Sequence, residues 1–272
     1  MADPNLLYAY PSDEWSHLIT PTVVSGAADP SFPVANLGDS NPANPFKATG
    51  TAITLQWDRG SDQPFGLHAL GHTNIDGTAT LKISDDPTFA TGVTSYVFAT
   101  MSKDQEGYFD AAWLDLVAQA APNKRYVQLV ITGNSQTIII GELSFNSTTR
   151  QLAHHVNSGS DIGATRPRIP PVKTIAGVEM YPQSYGRRRS FDGTIVYTPD
   201  VATAIDSWQQ ATGGSDQPTL IVPKDTVNPG AWLVRWSTAN NADFKFKNVE
   251  TGVISILVGW LEVAKGRPWG ST

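Results

Sequence analysis

The chain has 272 residues, 40% of them hydrophobic, with eight Trp, ten Phe and eight Tyr, which is typical of a globular protein. Its length favours two domains, with one large β domain as the alternative. The net charge of −6 offers no basic field to a phosphate backbone, and no apolar run approaches the roughly 20 residues that span a bilayer, so we expect neither a nucleic-acid partner nor membrane insertion.

The N-terminal segment has neither the charged nor the apolar region of a signal peptide, so none is expected. Cysteine is absent from the sequence, which excludes disulfides and thiolate metal sites. The chain therefore need not depend on the redox state of its compartment.

Residues 32–50, FPVANLGDSNPANPFKATG, predict a folded loop. Prolines remove backbone donors, and the Gly, Asp and Asn residues between them suit tight turns. The apolar residues are spaced to anchor the loop on a sheet, namely Phe32, Val34, Leu37 and Phe46. The polar residues then face outward, namely Asp39, Ser40, Asn41 and Asn44.

Short strands are predicted to follow at roughly ten-residue intervals, without a convincing helix. The segment TAITLQWD (51–58) alternates apolar and polar residues, as a half-buried strand does. RYVQLVIT and TIIIGELSF are separated by GNSQ, which predicts a hairpin. This pattern predicts an antiparallel β-sandwich or jelly roll over residues 1–150.

Residues 151–174 mix Gly, Ser, Pro and isolated charges, and we interpret them as a linker or an arm. Residues 175–272 then predict an α+β domain of four or five strands and one clear helix. Its first two strands lie around a basic turn. The helix begins near Pro199 and ends at Gly213, with Val201, Ile205 and Trp208 on one face. The fold class is thus mainly β.

No set of residues predicts catalysis, because nucleophile elbow, phosphate-binding loop and zinc signature are all missing from the sequence. We therefore expect no enzyme and no cofactor. His154 and His155 followed by Asp161 suggest a metal cluster, but adjacent histidines diverge in a strand or a helix, so exposed or interface histidines are the preferred interpretation. The paired carboxylates at 84–86 and at Asp13–Glu14 lie in turn-like contexts.

Three consecutive arginines, Arg187, Arg188 and Arg189, are conspicuous because only 16% of the residues are charged. They are suited to clamp carboxylates of a neighbouring subunit or to contact a negatively charged partner. The alternative is an ordinary edge strand in which the middle arginine faces away from the other two.

Tryptophan is the other excess. Trp57, Trp232, Trp236 and Trp260 lie within strand patterns and are predicted to be core. Trp15 and Trp269 lie in polar or turn contexts, where they would stack on a sugar ring or fill a partner's pocket. Ordinary packing is the preferred interpretation for both.

The order of segments in the first half resembles the discoidin-like, galactose-binding-domain-like jelly roll of phage tail proteins. The matching positions are Ser25-Gly26, Phe32-Pro33, Asn36-Leu37, Asp39 and Phe46, the last standing where Trp is common. The resemblance implies that the loop's apolar residues are structural and that its polar rim lies where such folds often bind glycans.

The second half resembles the tail-hub domain of phage minor tail and distal tail proteins, through MYPQSYGRRRSFDGTIVYT, a helix, QPTLIVPKD and AWLVRW. This resemblance implies a virion structural protein, made in the host cytoplasm. It would form a ring, often a hexamer, at the tail tip or baseplate, between the tail tube or hub and the receptor-binding parts. His154, His155, Arg187–Arg189 and Trp269 are its candidate interface residues.

The alternative function is a carbohydrate-binding module that attaches to host surface glycans through Asp39, Asn41 and Asn44, with Trp15 as its aromatic platform. A calcium ion at Asp39 would have one carboxylate with amides and carbonyls, which is a thin ligand set, so we predict no metal.

Overall fold

The computed structural model describes residues 5–38, 44–99, 112–153, 156–157, 164–165, 172–173, 179–180, 188–196, 198–213, 217–222, 231–236, 247–248 and 254–262. Within them the chain is mainly β, with antiparallel sheets and one α-helix, so the predicted fold class is confirmed.

Ten strands precede residue 146: β1 (Leu7–Ala9), β2 (Thr22–Ser25), β3 (Phe46–Lys47), β4 (Ile53–Gln63), β5 (Leu67–Thr73), β6 (Thr78–Ser84), β7 (Thr94–Val97), β8 (Ala112–Asp115), β9 (Lys124–Thr132) and β10 (Ile139–Phe145). Short 3-10 turns lie at Pro11–Asp13 and Val34–Gly38.

The later part of the described chain contains α1 (Pro199–Ala211) and the strands β11 (Arg150–Gln151), β12 (Val156–Asn157), β13 (Ala164–Thr165), β14 (Val172–Lys173), β15 (Glu179–Met180), β16 (Arg188–Val196), β17 (Thr219–Val222), β18 (Trp232–Trp236), β19 (Lys247–Asn248) and β20 (Ile254–Glu262).

Two sheets of the first half pack face to face as a β-sandwich. One has the strand order β2-β4-β9-β6-β7 and the other β3-β10-β5-β8. The predicted alternation holds in β4, where Ile53, Leu55 and Trp57 are buried in the core between the sheets. Leu70 and Phe145 enter the same core from the opposite sheet, so the sandwich predicted for this half is confirmed.

The predicted hairpin at GNSQ is wrong, because β9 and β10 lie in different sheets. β9 pairs with β4 and β6, whereas β10 pairs with β3 and β5. The turn residues serve a crossover instead: the Asn134 side-chain oxygen accepts hydrogen bonds from the backbone N–H groups of Asp76 and Gly77, at 2.7 and 3.3 Å. Turn chemistry alone does not distinguish a hairpin from a crossover.

The N-terminal strand belongs to the sheet of the second half. The described strands of that sheet follow the order β11-β1-β17-β18-β20-β16-β12, with β13 beside β16 and β19 beside β20. β1 pairs with β17 over three residues and with β11 on its other side. The boundary predicted at residue 150 puts Leu7–Ala9 in the first domain, whereas these pairings put the strand in the second sheet.

The second half contains more strands than predicted. Short strands occur within the predicted linker, and two of them, β12 and β13, pair with β16. The two strands expected around the basic turn are not paired with each other in the described residues, because β15 pairs with β14 and β16 with β20. The additional strands β12, β13, β14 and β15 have two residues each, which is too short to leave a periodic pattern in the sequence.

The predicted helix is confirmed. The Thr198 side chain accepts a hydrogen bond from the backbone N–H of Val201 and so caps the first turn of α1. Val201, Ile205 and Trp208 are buried. At the other end, Gly213 has a φ of +60°, the conformation that glycine adopts most easily after a helix.

Strands β1 and β17 join the two halves by burying both of their faces. Tyr8 packs on α1 in a cluster with Ile205 and Trp208. On the other face, Leu7 packs in a cluster with Leu67 from β5. The layers therefore run from α1 through the second-half sheet to the two sheets of the sandwich.

Candidate functional site

The polar loop is anchored as predicted at two of its apolar residues. Leu37 and Phe46 are 3% and 0% exposed and belong to the sandwich core. Val34 is partly buried against the same core. The apolar side chains of the loop thus hold its ends on the sandwich.

Asn44 is the one member of the predicted polar rim within the described part of this loop, since Asp39 and Asn41 lie outside it. Asn44 is exposed, and its side-chain oxygen accepts a hydrogen bond of 3.0 Å from the side-chain nitrogen of Asn36. The same nitrogen donates to the carbonyl of Pro45, also at 3.0 Å. The rim is therefore oriented by side-chain bonds at this position.

Trp15 is packed in the core, as the preferred interpretation predicts, and the alternative candidate of an exposed sugar platform is wrong. Its side chain is only 7% exposed, with ring centroids 6.2 Å from Trp57 and 5.6 Å from Phe145. The cause is long-range: the backbone N–H of Trp15 donates to the carbonyl of Phe145 at 3.0 Å, which aligns the residue with β10 and directs the indole into the core. The Arg59 guanidinium covers the ring at 4.7 Å.

Most of the predicted interface residues lie outside the described residues, namely Arg187, His154, His155 and Trp269. Arg188 and Arg189 begin β16, where their backbones pair with Thr165 and Ala164. Interface use of these residues stays a prediction.

A buried cluster of titratable side chains, not singled out in the sequence, lies where residues 14–17 run along β10. The Nε2 atom of His17 is 3.2 Å from Oε1 of Glu14 and 3.7 Å from Oε1 of Glu142. The side chains of Glu14 and Glu142 are 9% and 6% exposed, and that of His17 is 17% exposed. We refer to Glu14, His17 and Glu142 as the Glu-His-Glu cluster.

Serine hydroxyls orient this cluster. The hydroxyl of Ser16 donates to Oε1 of Glu14 at 3.0 Å and accepts from the backbone N–H of Phe145, also at 3.0 Å. Ser144 is a further hydrogen-bond partner of the Glu14 carboxyl. These bonds fix the backbone of residues 14–16 on the edge of β10.

The environment favours protonation of the cluster. Burial, reinforced by the neighbouring Glu142 charge, raises the pKa of Glu14 from 4.5 to about 7. Burial alone would lower the pKa of His17, but the Glu142 and Glu14 carboxylates together raise it above its ordinary value of 6.5. The cluster therefore binds protons more tightly than the same groups would in water.

One signal in the sequence points to this cluster. Glu142 stands in TIIIGELSF, where a strand that is apolar on both faces leaves no solvated side for a carboxylate. Such a carboxylate requires a buried partner. The identity of the partner depends on the pairing of residues 14–17 with β10, and His17 stands 125 residues before Glu142 in the chain, so it is not visible in local spacing.

Among the residues that the structure describes, no group of three or more His, Cys, Asp and Glu side chains is arranged to hold a metal ion. Within that part of the chain, no helix has both the length and the apolarity to cross a bilayer.

Comparison with known proteins gave no family. No family model matches the chain, and no curated protein does. Solved structures show partial likeness. SpGH29 is 16% identical, with a TM-score of 0.35, and the match covers 51% of this chain and 30% of that chain.

Two smaller structures match over almost their whole length. Chitosan-binding module 1 of a chitosanase/glucanase from Paenibacillus sp. IK-5 is 15% identical over 48% of this chain and 97% of that chain, with a TM-score of 0.36. The lectin domain of lectinolysin complexed with Lewis B antigen is 9% identical over 49% of this chain and 96% of that chain, with a TM-score of 0.37. At these values the likenesses do not assign an activity or a ligand to this chain.

Proposed function

We propose that this chain is a non-enzymatic structural protein of a virion tail, in which the second-half sheet holds the β-sandwich in a fixed orientation. One observation carries the fixed orientation of the sandwich: β1 is a strand of the second sheet, between β11 and β17. The chain therefore forms a strand of the second sheet before it enters the sandwich and another, β11, after it leaves. The two halves are thus built as one unit.

The contacts between the halves are apolar and hydrogen-bonded. Leu7 and Leu220 pack against Leu67 of β5, and all three are at most 3% exposed. The Thr219 hydroxyl donates to the carbonyl of Ala9 at 2.6 Å. An independent binding module is usually joined by an exposed, flexible linker with few contacts across it. A rigid junction suits a part that transmits position within an assembly.

A second junction lies where the chain leaves the sandwich. The Arg150 guanidinium is paired with the Asp13 carboxylate and lies 3.8 Å above the ring of Tyr10. Tyr10 lies 5.8 Å from Tyr8, which stacks on Trp208 of α1 at 4.2 Å. This row of side chains ties the entry and exit of the sandwich to the helix.

The finer assignment to a tail rests on the resemblance of the order of segments to phage tail proteins. It implies a ring, a hexamer in many such proteins, at the tail tip or baseplate, with tube, hub and other baseplate proteins as neighbours. The low charged fraction of 16% supports shared surfaces. We propose no catalytic activity for this chain.

The test is the mass of the purified chain in solution, measured by light scattering over a concentration series, with electron microscopy of the particles. We expect a closed ring for the chain and for a control with Lys82, Lys124 and Arg125 changed to Ala. A variant with Arg187, Arg188 and Arg189 changed to Ala is expected to form smaller species. A monomer at every concentration, without ring-shaped particles, contradicts the proposal.

Glycan binding by the loop rim is the second candidate, and the oriented Asn36–Asn44 pair favours it. Preorganised amides are suited to bind sugar hydroxyls, since little side-chain freedom is lost on binding. On a glycan array, Asn44→Ala should lose any signal that the chain gives, while Asn123→Ala keeps it. Asn123 is an exposed residue that precedes β9, at the end of β4 and β9 opposite to the loop. An array without signal for the chain contradicts this candidate.

A further inference from the structure

We propose that the Glu-His-Glu cluster is a proton-operated clasp, which holds residues 14–18 and the turn Val34–Gly38 against β10 in acid and loosens them as the cluster loses its protons. The inference goes beyond the proposed function and does not depend on it.

The clasp joins segments that are distant in the chain. His17 contacts Glu14 on its own segment and Glu142 on β10. The imidazolium of His17 makes an attractive, charge-assisted contact with a carboxylate, and protonation of Glu14, whose pKa is raised to about 7, removes one buried negative charge near pH 5. When the imidazole is neutral and both carboxyls are ionised, two buried negative charges face the same uncharged ring, which is costly in a poorly solvated site.

The turn Val34–Gly38 lies directly on His17. A Cβ atom at Gly38 would be 3.3 Å from the carbonyl oxygen of His17 and 3.7 Å from its Cα, so the two backbones are in van der Waals contact. Leu37 is buried in the same core as Trp15. A displacement of His17 is therefore transmitted to the turn that precedes the polar rim of the loop.

Charged and titratable groups near the clasp lie on its own segment, on β5 and on β3. On its own segment, Asp13 is paired with Arg150. On β5, the residue opposite Glu142 is Gly71, with His72 next in sequence. On β3, Lys47 lies opposite Ile139 of β10.

The remaining packed elements add little charge near the cluster. The turn Val34–Gly38 contains no titratable side chain. On the core side, Arg59 lies over Trp15 and donates to the carbonyls of Gln63 and Pro64, at 3.0 and 2.9 Å. His68, 5.9 Å from Trp15, stays neutral because burial lowers its pKa to about 3.

The sign of the pH dependence follows from the two raised pKa values. Glu14 and His17 both bind protons more tightly in the folded chain than in the unfolded chain. Their stabilising contribution is fully present below the unfolded pKa values and is lost as the pH rises through the folded ones. For Glu14 this window runs from 4.5 to about 7. The clasp is accordingly closed near pH 5 and loosened near pH 8.

Glu14→Gln tests the clasp, because the amide keeps the shape of the side chain and still accepts a hydrogen bond from Ser16. In the unchanged chain, the melting temperature should be a few degrees lower at about pH 8 than at about pH 5. Glu14→Gln should remove most of this difference. The control Asp206→Asn changes an exposed carboxyl on α1 and should follow the unchanged chain.

Hydrogen–deuterium exchange, corrected for the intrinsic pH dependence of amide exchange, locates the effect. Protection of residues 14–18 and 34–38 should fall several-fold between the two pH values in the unchanged chain, while β9 keeps its protection. Glu142→Gln serves as the second variant where Glu14→Gln does not fold, with the same expected flattening. The proposal is overturned if the melting temperatures of both variants depend on pH as that of the unchanged chain does. It is also overturned if NMR finds that the pKa of His17 is not raised.

Discussion

The two faces of β5 close two different cores. On one face, Leu70 packs into the sandwich core, beside Phe145. On the other, Leu67 and Ala69 pack against β1 and β17 of the second-half sheet. A strand of a free-standing sandwich has one face in water and alternates apolar with polar residues. Burial of both faces of β5 therefore shows that the sheet of β5 is an inner layer of a larger layered unit.

The largest loss of stability is expected at the centre of the sandwich core, which the Leu70 face of β5 closes. Trp57 is fully buried, 5.6 Å from Phe145 and 6.2 Å from Trp15. Trp57→Ala should lower the free energy of unfolding by about 3–5 kcal/mol, because it leaves a large cavity. Chemical denaturation measures this loss.

Trp57→Phe is the matched control. Among the described residues, the indole nitrogen of Trp57 has no hydrogen-bond partner. The phenyl ring therefore forfeits packing but no hydrogen bond, and Trp57→Phe should cost clearly less than Trp57→Ala. Equal losses for the two variants would show that packing at this position is not what stabilises the core.

Leu70→Ala and Leu67→Ala sharpen the comparison, since they remove the same side chain from opposite faces of one strand. Both leucines are 0% exposed, so each change should cost about 2–4 kcal/mol. The difference lies in where protection is lost. Leu70→Ala should increase hydrogen exchange in β4 and β9, and Leu67→Ala in β1 and β17. The same exchange pattern from both variants would contradict the two separate cores.

Local patterns in the sequence were sufficient for the elements whose partners are local or whose periodicity is strong. The alternation of β4 and the capped, amphipathic α1 are in this class. The anchoring of the loop by Leu37 and Phe46 was also predictable, because isolated apolar residues in a polar loop are best placed on a core.

The features that the sequence did not predict depend on long-range pairing. The three residues of β1 have no periodicity to read, and their place in the second sheet is set by β17, more than 200 residues later. Trp15 stands in a polar stretch, yet its backbone pairing with β10 buries it. The Glu-His-Glu cluster has the same origin, since it brings residues 14–17 to Glu142.

Gly66 offers a smaller test at the point where both faces of β5 begin. A Cβ atom at this position would overlap the backbone of Thr148, in the segment that leaves the sandwich. The N–H of Gly66 also donates to the carbonyl of Asn146 at 2.8 Å. Gly66→Ala should therefore cost about 1–3 kcal/mol, because backbone has to shift. Gly50→Ala is the control, because a Cβ atom at Gly50 would meet open space, and its effect on stability should be nearly zero. Gly92→Ala is not suitable, because Gly92 has a positive φ.

The smallest loss of stability is expected from removing a single hydroxyl in β17, the strand that packs on the Leu67 face of β5. The Thr219 Oγ1 donates to the carbonyl of Ala9 and accepts a 3.1 Å hydrogen bond from the indole nitrogen of Trp208. Thr219→Val keeps the shape of the side chain but leaves both groups buried without this partner, so we expect the free energy of unfolding to fall by about 1–2 kcal/mol.

Thr203→Val is the control, because the Thr203 hydroxyl donates to an exposed carbonyl within α1. If Thr219→Val is as mild as Thr203→Val, the apolar contact of Leu7, Leu67 and Leu220 alone holds β1 in place. If it is the costlier of the two, the polar bridge between β1, β17 and α1 contributes to the junction that unites the halves.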